Sequence, residues 1–253
     1  MHRLSETKQK AYEALVHDVR QCRLCDGYTA TSPKGTVTLQ HDSNRRHINL
    51  WSEWQNSLDA DILLIGQDWG NATEAMARAT EKRIDDGFHY LENQDIVYPT
   101  DKNLIALFQN ALNMDILQPS SRLFFTNSIQ CYKTGSLSNK THDKWFTLCN
   151  QNYMGRLIQI IQPKMIIPIG KLPTLGLMEC GHFTDLTGKA LTKKDFATYR
   201  EVLDRGVIAL HMAALEQSIY VRPVSHTGVL ATNMNRSAEE QLKDWLSIRP
   251  YLD

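Results

Sequence analysis

The sequence has no excess of charge of either sign. It carries 28 Lys+Arg against 28 Asp+Glu over 253 residues, a formal net charge of zero. That balance excludes a protein that coats nucleic acid through its mean field alone. No uncharged apolar stretch approaches the roughly 18–20 residues that span a bilayer, so no membrane partner is expected. Residues 1–10 are polar and lack the apolar stretch of a signal peptide, which leads to the expectation of a cytoplasmic protein. Glycine (13) and proline (8) are too few for a collagen-like chain, and no repeat or low-complexity segment is present. Cysteines number five, an odd count that argues against a disulfide framework and leaves metal binding or buried thiols. Hydrophobic residues at 42% and charged residues at 22% are ordinary for a globular chain. The length suits one large α/β domain over 1–253, or at most two small ones; in the single-domain reading the N-terminal helix and loop of 1–58 pack on it.

Strand and helix patterns alternate along the chain. Residues 5–20 read as a helix with Tyr12, Leu15, Val16 and Val19 as its apolar stripe. Residues 26–50 read as loop. Asp61 to Ile65, Leu123 to Thr126, Lys164 to Ile169 and Tyr220 to Val224 read as buried strands. Helices are expected at 71–83, from Asp101 to about Asn113, from Asp143 to Ile161 (stopping before Pro163), and at 172–178. Residues 181–218 are less regular, with a helix at 194–203. Ser237 caps a last helix to Ser247, with Glu240 completing a capping box. This order implies an α/β fold: a mostly parallel sheet with helices on both faces, and a ligand outside the carboxyl ends of the strands.

Three segments leave those strand ends. In Gly66-Gln67-Asp68-Trp69-Gly70 the glycines permit a sharp turn, and a carboxylate there can orient water; a plain strand-to-helix turn is the competing reading. Asn127 ends the second strand, and a side-chain amide offers donors and an acceptor to a nucleobase edge; an Asn that merely terminates a strand is the commoner case. His226, in a Ser/Thr/Gly loop, is a potential donor to a developing anion or a surface loop histidine. Cys22-Arg23-Leu24-Cys25 is a C-x-x-C pair. Cys131 and Cys149 are either the second half of a four-cysteine metal site or ordinary small buried residues. Spacing does not separate zinc from a [4Fe–4S] cluster. Cys180 reads as a core thiol.

Taken in order, these residues resemble the uracil-DNA glycosylase superfamily, most closely its iron–sulfur branch, families four and five. The Cys22/Cys25 pair, the Gly66 to Gly70 loop, Thr126-Asn127 followed by Cys131, Cys149 at a helix, Pro163 to Gly170, and Val221 to His226 are similar to that family's segments. The resemblance covers roughly residues 20–247, with 26–60, 71–97 and 181–218 aligning poorly. It implies a three-layer α/β/α sandwich around a four-stranded, mostly parallel sheet. It also implies a structural [4Fe–4S] cluster on Cys22, Cys25, Cys131 and Cys149, a DNA partner and a monomer.

The activity implied is base excision in DNA repair: hydrolysis of the N-glycosidic bond of uracil or another deaminated base. In that reading Asp68 orients water and His226 stabilises the leaving base anion. Gln67 and Asn127 face the base edge, with Tyr98 or Trp69 stacked on it. Arg236 sits near phosphate, and Leu230 or Met234 acts as a wedge in the minor groove. Lys133, Lys140, Lys171, Arg222 and Arg236 are expected to form one positive face. The sequence departs from the family at Trp69, where a proline is usual, at Thr227-Gly228 in place of Pro-Ser, and at Pro99 to Asn103 in place of a glycine-rich stretch. Two other functions compete: a non-catalytic iron–sulfur nucleic-acid-binding module of the same fold, and an unrelated α/β hydrolase of small nucleosides whose cysteines hold zinc or nothing.

Overall fold

The structure is a computed structural model that describes residues 4–32, 35–40, 57–68, 99–118, 122–134, 141–228 and 236–252. The first element, α1 (Leu4–Gln21), has Glu6 in its first turn and Arg20 in its last, complementing the helix dipole. Its stripe of Tyr12, Leu15, Val16 and Val19 is buried as the periodicity requires. The region read as loop contains β1 (Ala30–Ser32) and β2 (Gly35–Val37), paired antiparallel, and β3 (Leu39–Gln40). Strands of two or three residues are too short to show a period.

The central elements follow as β4 (Ile62–Gly66), α2 (Pro99–Leu112), β5 (Leu123–Asn127), β6 (Tyr132–Lys133) and α3 (Asp143–Cys149). A π-helical turn over Asn150–Met154 joins α3 to α4 (Gly155–Ile161), so the long helix expected from Asp143 is bulged in its middle. Then come β7 (Met165–Pro168), α5 (Lys171–Leu177), β8 (His182–Thr184), β9 (Ala190–Leu191), α6 (Tyr199–Asp204), β10 (Ile208–His211), β11 (Ile219–Val221) and α7 (Ala238–Leu246). Ser237 caps α7 in a capping box with Glu240, as expected. The helix expected at 71–83 lies outside the described residues.

The main sheet has seven strands in the order β5-β4-β7-β11-β10-β8-β9. The first four are parallel neighbours, as expected. The expectation of four strands is corrected by β10, β8 and β9, which extend the sheet antiparallel from β11. These three come from the stretch that reads as irregular, because each is only two to four residues long.

Alternation along β4 builds two core layers. Leu63 and Ile65 face one side, with Leu15 of α1 and Leu157 and Ile158 of α4. Ile62 and Leu64 face the other, with Leu104 and Phe108 of α2 and Trp245 of α7. The Phe108 and Trp245 rings meet edge-on at 4.8 Å. Helices therefore cover both faces, the α/β sandwich that strand–helix alternation implies. Among the described residues no helix is long and apolar enough to cross a membrane.

Candidate functional site

In chain order the parallel strands β4, β5, β7 and β11 lie as second, first, third and fourth across the sheet, since β5 sits outside β4. The strand order therefore reverses between β4 and β7. A crevice opens at such a switch point, at the carboxyl ends of the strands. The loops after β4 and β11 carry Asp68 and His226, and Asn127 is the last residue of β5. Asp68 and Asn127 leave adjacent strands. His226 follows β11, two strands from β4, which is roughly 10 Å at normal strand spacing.

Asn127 is held over the end of β4. It pairs in register with Gly66, and a Cβ added at position 66 would lie 2.2 Å from Asn127 Oδ1. Only glycine admits that side chain, which is 4% exposed. The turn beyond β5 stays tied to the Gly66 loop. Ser128 N–H donates to Gly66 O at 2.9 Å, and Ile129 N–H to Gln67 O at 3.0 Å. Gln130 Nε2 donates to Thr126 Oγ1 at 3.1 Å and also to Asn127 O.

Asp68 is an ion-pair partner in a buried setting. Lys133 Nζ lies 2.9 Å from its Oδ2, and the two side chains are 2% and 7% exposed. Gln67 Nε2 donates to the same oxygen at 2.8 Å. Lys133, expected on a positive outer face, is turned inward to this carboxylate.

His226 opens to solvent, yet enough protein surrounds the ring that burial pushes its pKa below the ordinary value. Its Nδ1 accepts from Gly228 N–H at 2.9 Å. A neutral ring accepting there carries its proton on Nε2, as an uncharged donor. The His226 backbone N–H donates to Tyr199 Oη at 3.1 Å, and that hydroxyl also meets Ser225 Oγ at 3.4 Å. Tyr199 packs against Gly170, whose φ of 92° is a glycine conformation. Thr227 is held from α2: its hydroxyl donates to Thr100 O at 3.0 Å, and its carbonyl accepts from Asn103 Nδ2 at 2.8 Å. Thr227 and the start of α2 at Thr100 and Asn103 thus bond to each other. Sequence reasoning missed Tyr199, Thr100 and Asn103. The Thr198/Glu201 capping box marks the start of α6 but carries no sign of the Tyr199 contact with His226.

The cysteines of the C-x-x-C pair, Cys131 and Cys149 are all buried. Cys149 donates to Cys25, which holds the Cys25 thiol below its ordinary pKa and pushes Cys149 up. Cys149 also feels Cys131 and accepts from the Gln130 backbone N–H. Tyr153, on the π turn, bonds Cys22 and feels Cys149; burial is the main cause of its raised pKa. As a donor set, four buried sulfurs with a backbone N–H aimed at one of them suit a four-thiolate group. As placed, no three His, Cys, Asp or Glu side chains among the described residues form a metal-binding group. Cys180 stands apart, donating to Asn150 O at 3.4 Å, with burial pushing its thiol up to about 12.

The other site expectations fare differently. Arg236 is 9% exposed and pairs with Asp244 at 3.0 Å and Asp204 at 2.8 Å. Arg222 is 4% exposed and pairs with Asp244. These two, with Lys133, are internally neutralised, so the expected positive face is not built from them. Burial of a cation demands a partner, and acids on α6 and α7 supply it. Trp69, Tyr98, Leu230, Met234 and Lys140 lie outside the described residues.

Comparison with protein-family models and with curated proteins finds no match.

Proposed function

We propose that this chain is a DNA glycosylase of the uracil-DNA glycosylase type, hydrolysing the N-glycosidic bond of uracil or another deaminated base. The supporting observation is the placement of Asn127, close over Gly66 and beside the Asp68 loop, and of a neutral His226 on the other side of the strand-order reversal.

The target base leaves the stack, at a cost of a few kcal/mol that is least for a damaged or mispaired base. Cleavage generates an oxocarbenium-like sugar and a base anion. His226 Nε2–H donates to the base oxygen where negative charge develops. Burial of the ring keeps it an uncharged donor. The Asp68 carboxylate orients water and stabilises the cationic sugar from the opposite side. Asn127, packed over Gly66 at the end of the paired strands, bonds the base edge. A four-thiolate group on Cys22, Cys25, Cys131 and Cys149, a [4Fe–4S] cluster or zinc, would supply a structural cross-link. Its anchors are the end of α1, the segment after β5 and the end of α3.

A monomer in the cytoplasm acting on DNA completes this reading. One observation favours a different substrate: with Lys133, Arg222 and Arg236 paired internally, a free nucleoside needs no phosphate-binding face. A gel assay on oligonucleotides carrying uracil, hypoxanthine or xanthine, run beside free deoxyuridine, tests both. Strand scission after alkali supports the glycosylase. Hydrolysis of deoxyuridine alone supports the nucleosidase, and no reaction on any substrate overturns the proposal.

A further inference from the structure

We propose that Lys133 is a positioning residue through which the cysteine-bearing segment sets the Asp68 carboxylate. This rests on the reading of Asp68 as the water-orienting group. An ammonium that is 2% exposed is costly unless paired, and its partner Asp68 lies 65 residues away in sequence, on a different strand end. The two are therefore held together by the fold, not by local chain geometry.

Lys133 is itself clamped from both sides. On one side, β6 pairs antiparallel with β3, Leu39 opposite Lys133. Thr134 N–H donates to Thr38 O at 2.9 Å, and Thr38 N–H donates to Thr134 Oγ1 at 2.9 Å. On the other side, two residues earlier, Cys131 is buried beside Cys149, and Gln130 N–H donates to Cys149. The stretch from Gln130 to Thr134 is thus fixed by the thiols and by β3. Its one long cation reaches back to the loop after β4. Asp68 follows the last residue of β4 by only two positions, so its backbone is anchored there, but its Oδ2 is oriented by Lys133 and Gln67.

The role is geometric. A carboxylate that stabilises a sugar cation has to face the reacting carbon, and displacement by about 1 Å costs about 100-fold in rate.

The test uses the full chain purified without oxygen. Lys133→Met, Lys133→Arg, Asp68→Asn and the Lys133→Met/Asp68→Asn double variant are compared in single-base excision, and the wild type and Lys133→Met are crystallised. The expected result is a kcat lowered about 100-fold by Lys133→Met with KM within about two-fold. Lys133→Arg should recover part of it. In the Asp68→Asn background, Lys133→Met should lower kcat by less than about two-fold, because both act through one carboxylate. Should Lys133→Met not fold, Lys133→Gln, which keeps a donor, is read the same way. Independent, multiplying losses overturn the inference. So does an Asp68 carboxylate that keeps its position in the Lys133→Met crystal structure. If the wild type excises no base, the proposed function fails, and the crystal pair alone decides the inference: a displaced Asp68 supports it, an unmoved one overturns it.

Discussion

Gly66 and Asn127 face each other across paired strand ends so closely that position 66 has no room for a Cβ, which would fall 2.2 Å from Asn127 Oδ1. Gly66→Ala therefore forces Asn127 out of place. The expected result is a loss of base excision of about 100-fold and an overpacking cost of about 1–3 kcal/mol. Single-turnover kinetics and chemical denaturation check the two halves separately. An alanine variant with wild-type rate would show that Asn127 does not read the base.

The histidine prediction concerns pH. Burial lowers the folded-state pKa of His226 below its ordinary 6.5. The unfolded chain then binds a proton at a pH where the folded chain does not, so stability rises with pH through that window. Nothing is lost above the unfolded value. As pH falls below about 6.5 the folded state is progressively penalised, until the folded-state pKa is passed. His226→Gln should flatten this part of the Tm-against-pH curve between pH 7.5 and 5. Equal slopes for wild type and variant would mean that the ring is not held neutral.

Much of the scaffold was legible from the residues alone, for identifiable reasons. β4 and β7 are apolar throughout and β5 opens on Leu123-Phe124-Phe125, with Gly66 and Asn127 closing their strands and Gly170 standing just beyond β7. The Ser237/Glu240 capping box and the stripe on α1 are local patterns that survive in the fold. What stayed hidden depends on distance in sequence. β8, β9 and β10 are too short to carry a period and exist because β11 offers an edge. Lys133, Arg222 and Arg236 read as surface cations until Asp68, Asp244 and Asp204 are seen beside them. Tyr199 holds the His226 loop from 27 residues away, a contact that no local pattern announces.

Arg236 yields a prediction opposite in kind to a phosphate contact. It shares Asp244 with Arg222 in a buried network. Arg236→Ala should cost about 2 kcal/mol of stability, less than the roughly 3–5 kcal/mol of an orphaned buried charge, since Arg222 still pairs Asp244. The salt slope of oligonucleotide binding should not change. A slope reduced by about one unit would place Arg236 at a phosphate instead.

The four buried thiols predict a coloured protein. Purified without oxygen, the chain should absorb near 400 nm and carry iron and sulfide. Cys149→Ser should lose that band and destabilise the fold, because Cys149 is the thiol linked to Cys25, Cys131 and the Gln130 backbone. Zinc in place of iron would leave the cross-link but remove the colour. Neither metal in fresh protein would reduce the cysteines to core residues.

The most direct measurement is detection of the free base by mass spectrometry after incubating the protein with a uracil-containing oligonucleotide, with Asp68→Asn and His226→Ala run in parallel. The account predicts uracil released by the wild type, with an intact sugar-phosphate backbone until alkali is added. Both variants should release it at least about 100-fold more slowly. Wild-type protein that binds the oligonucleotide but releases no base, or variants that release it at the wild-type rate, would contradict it.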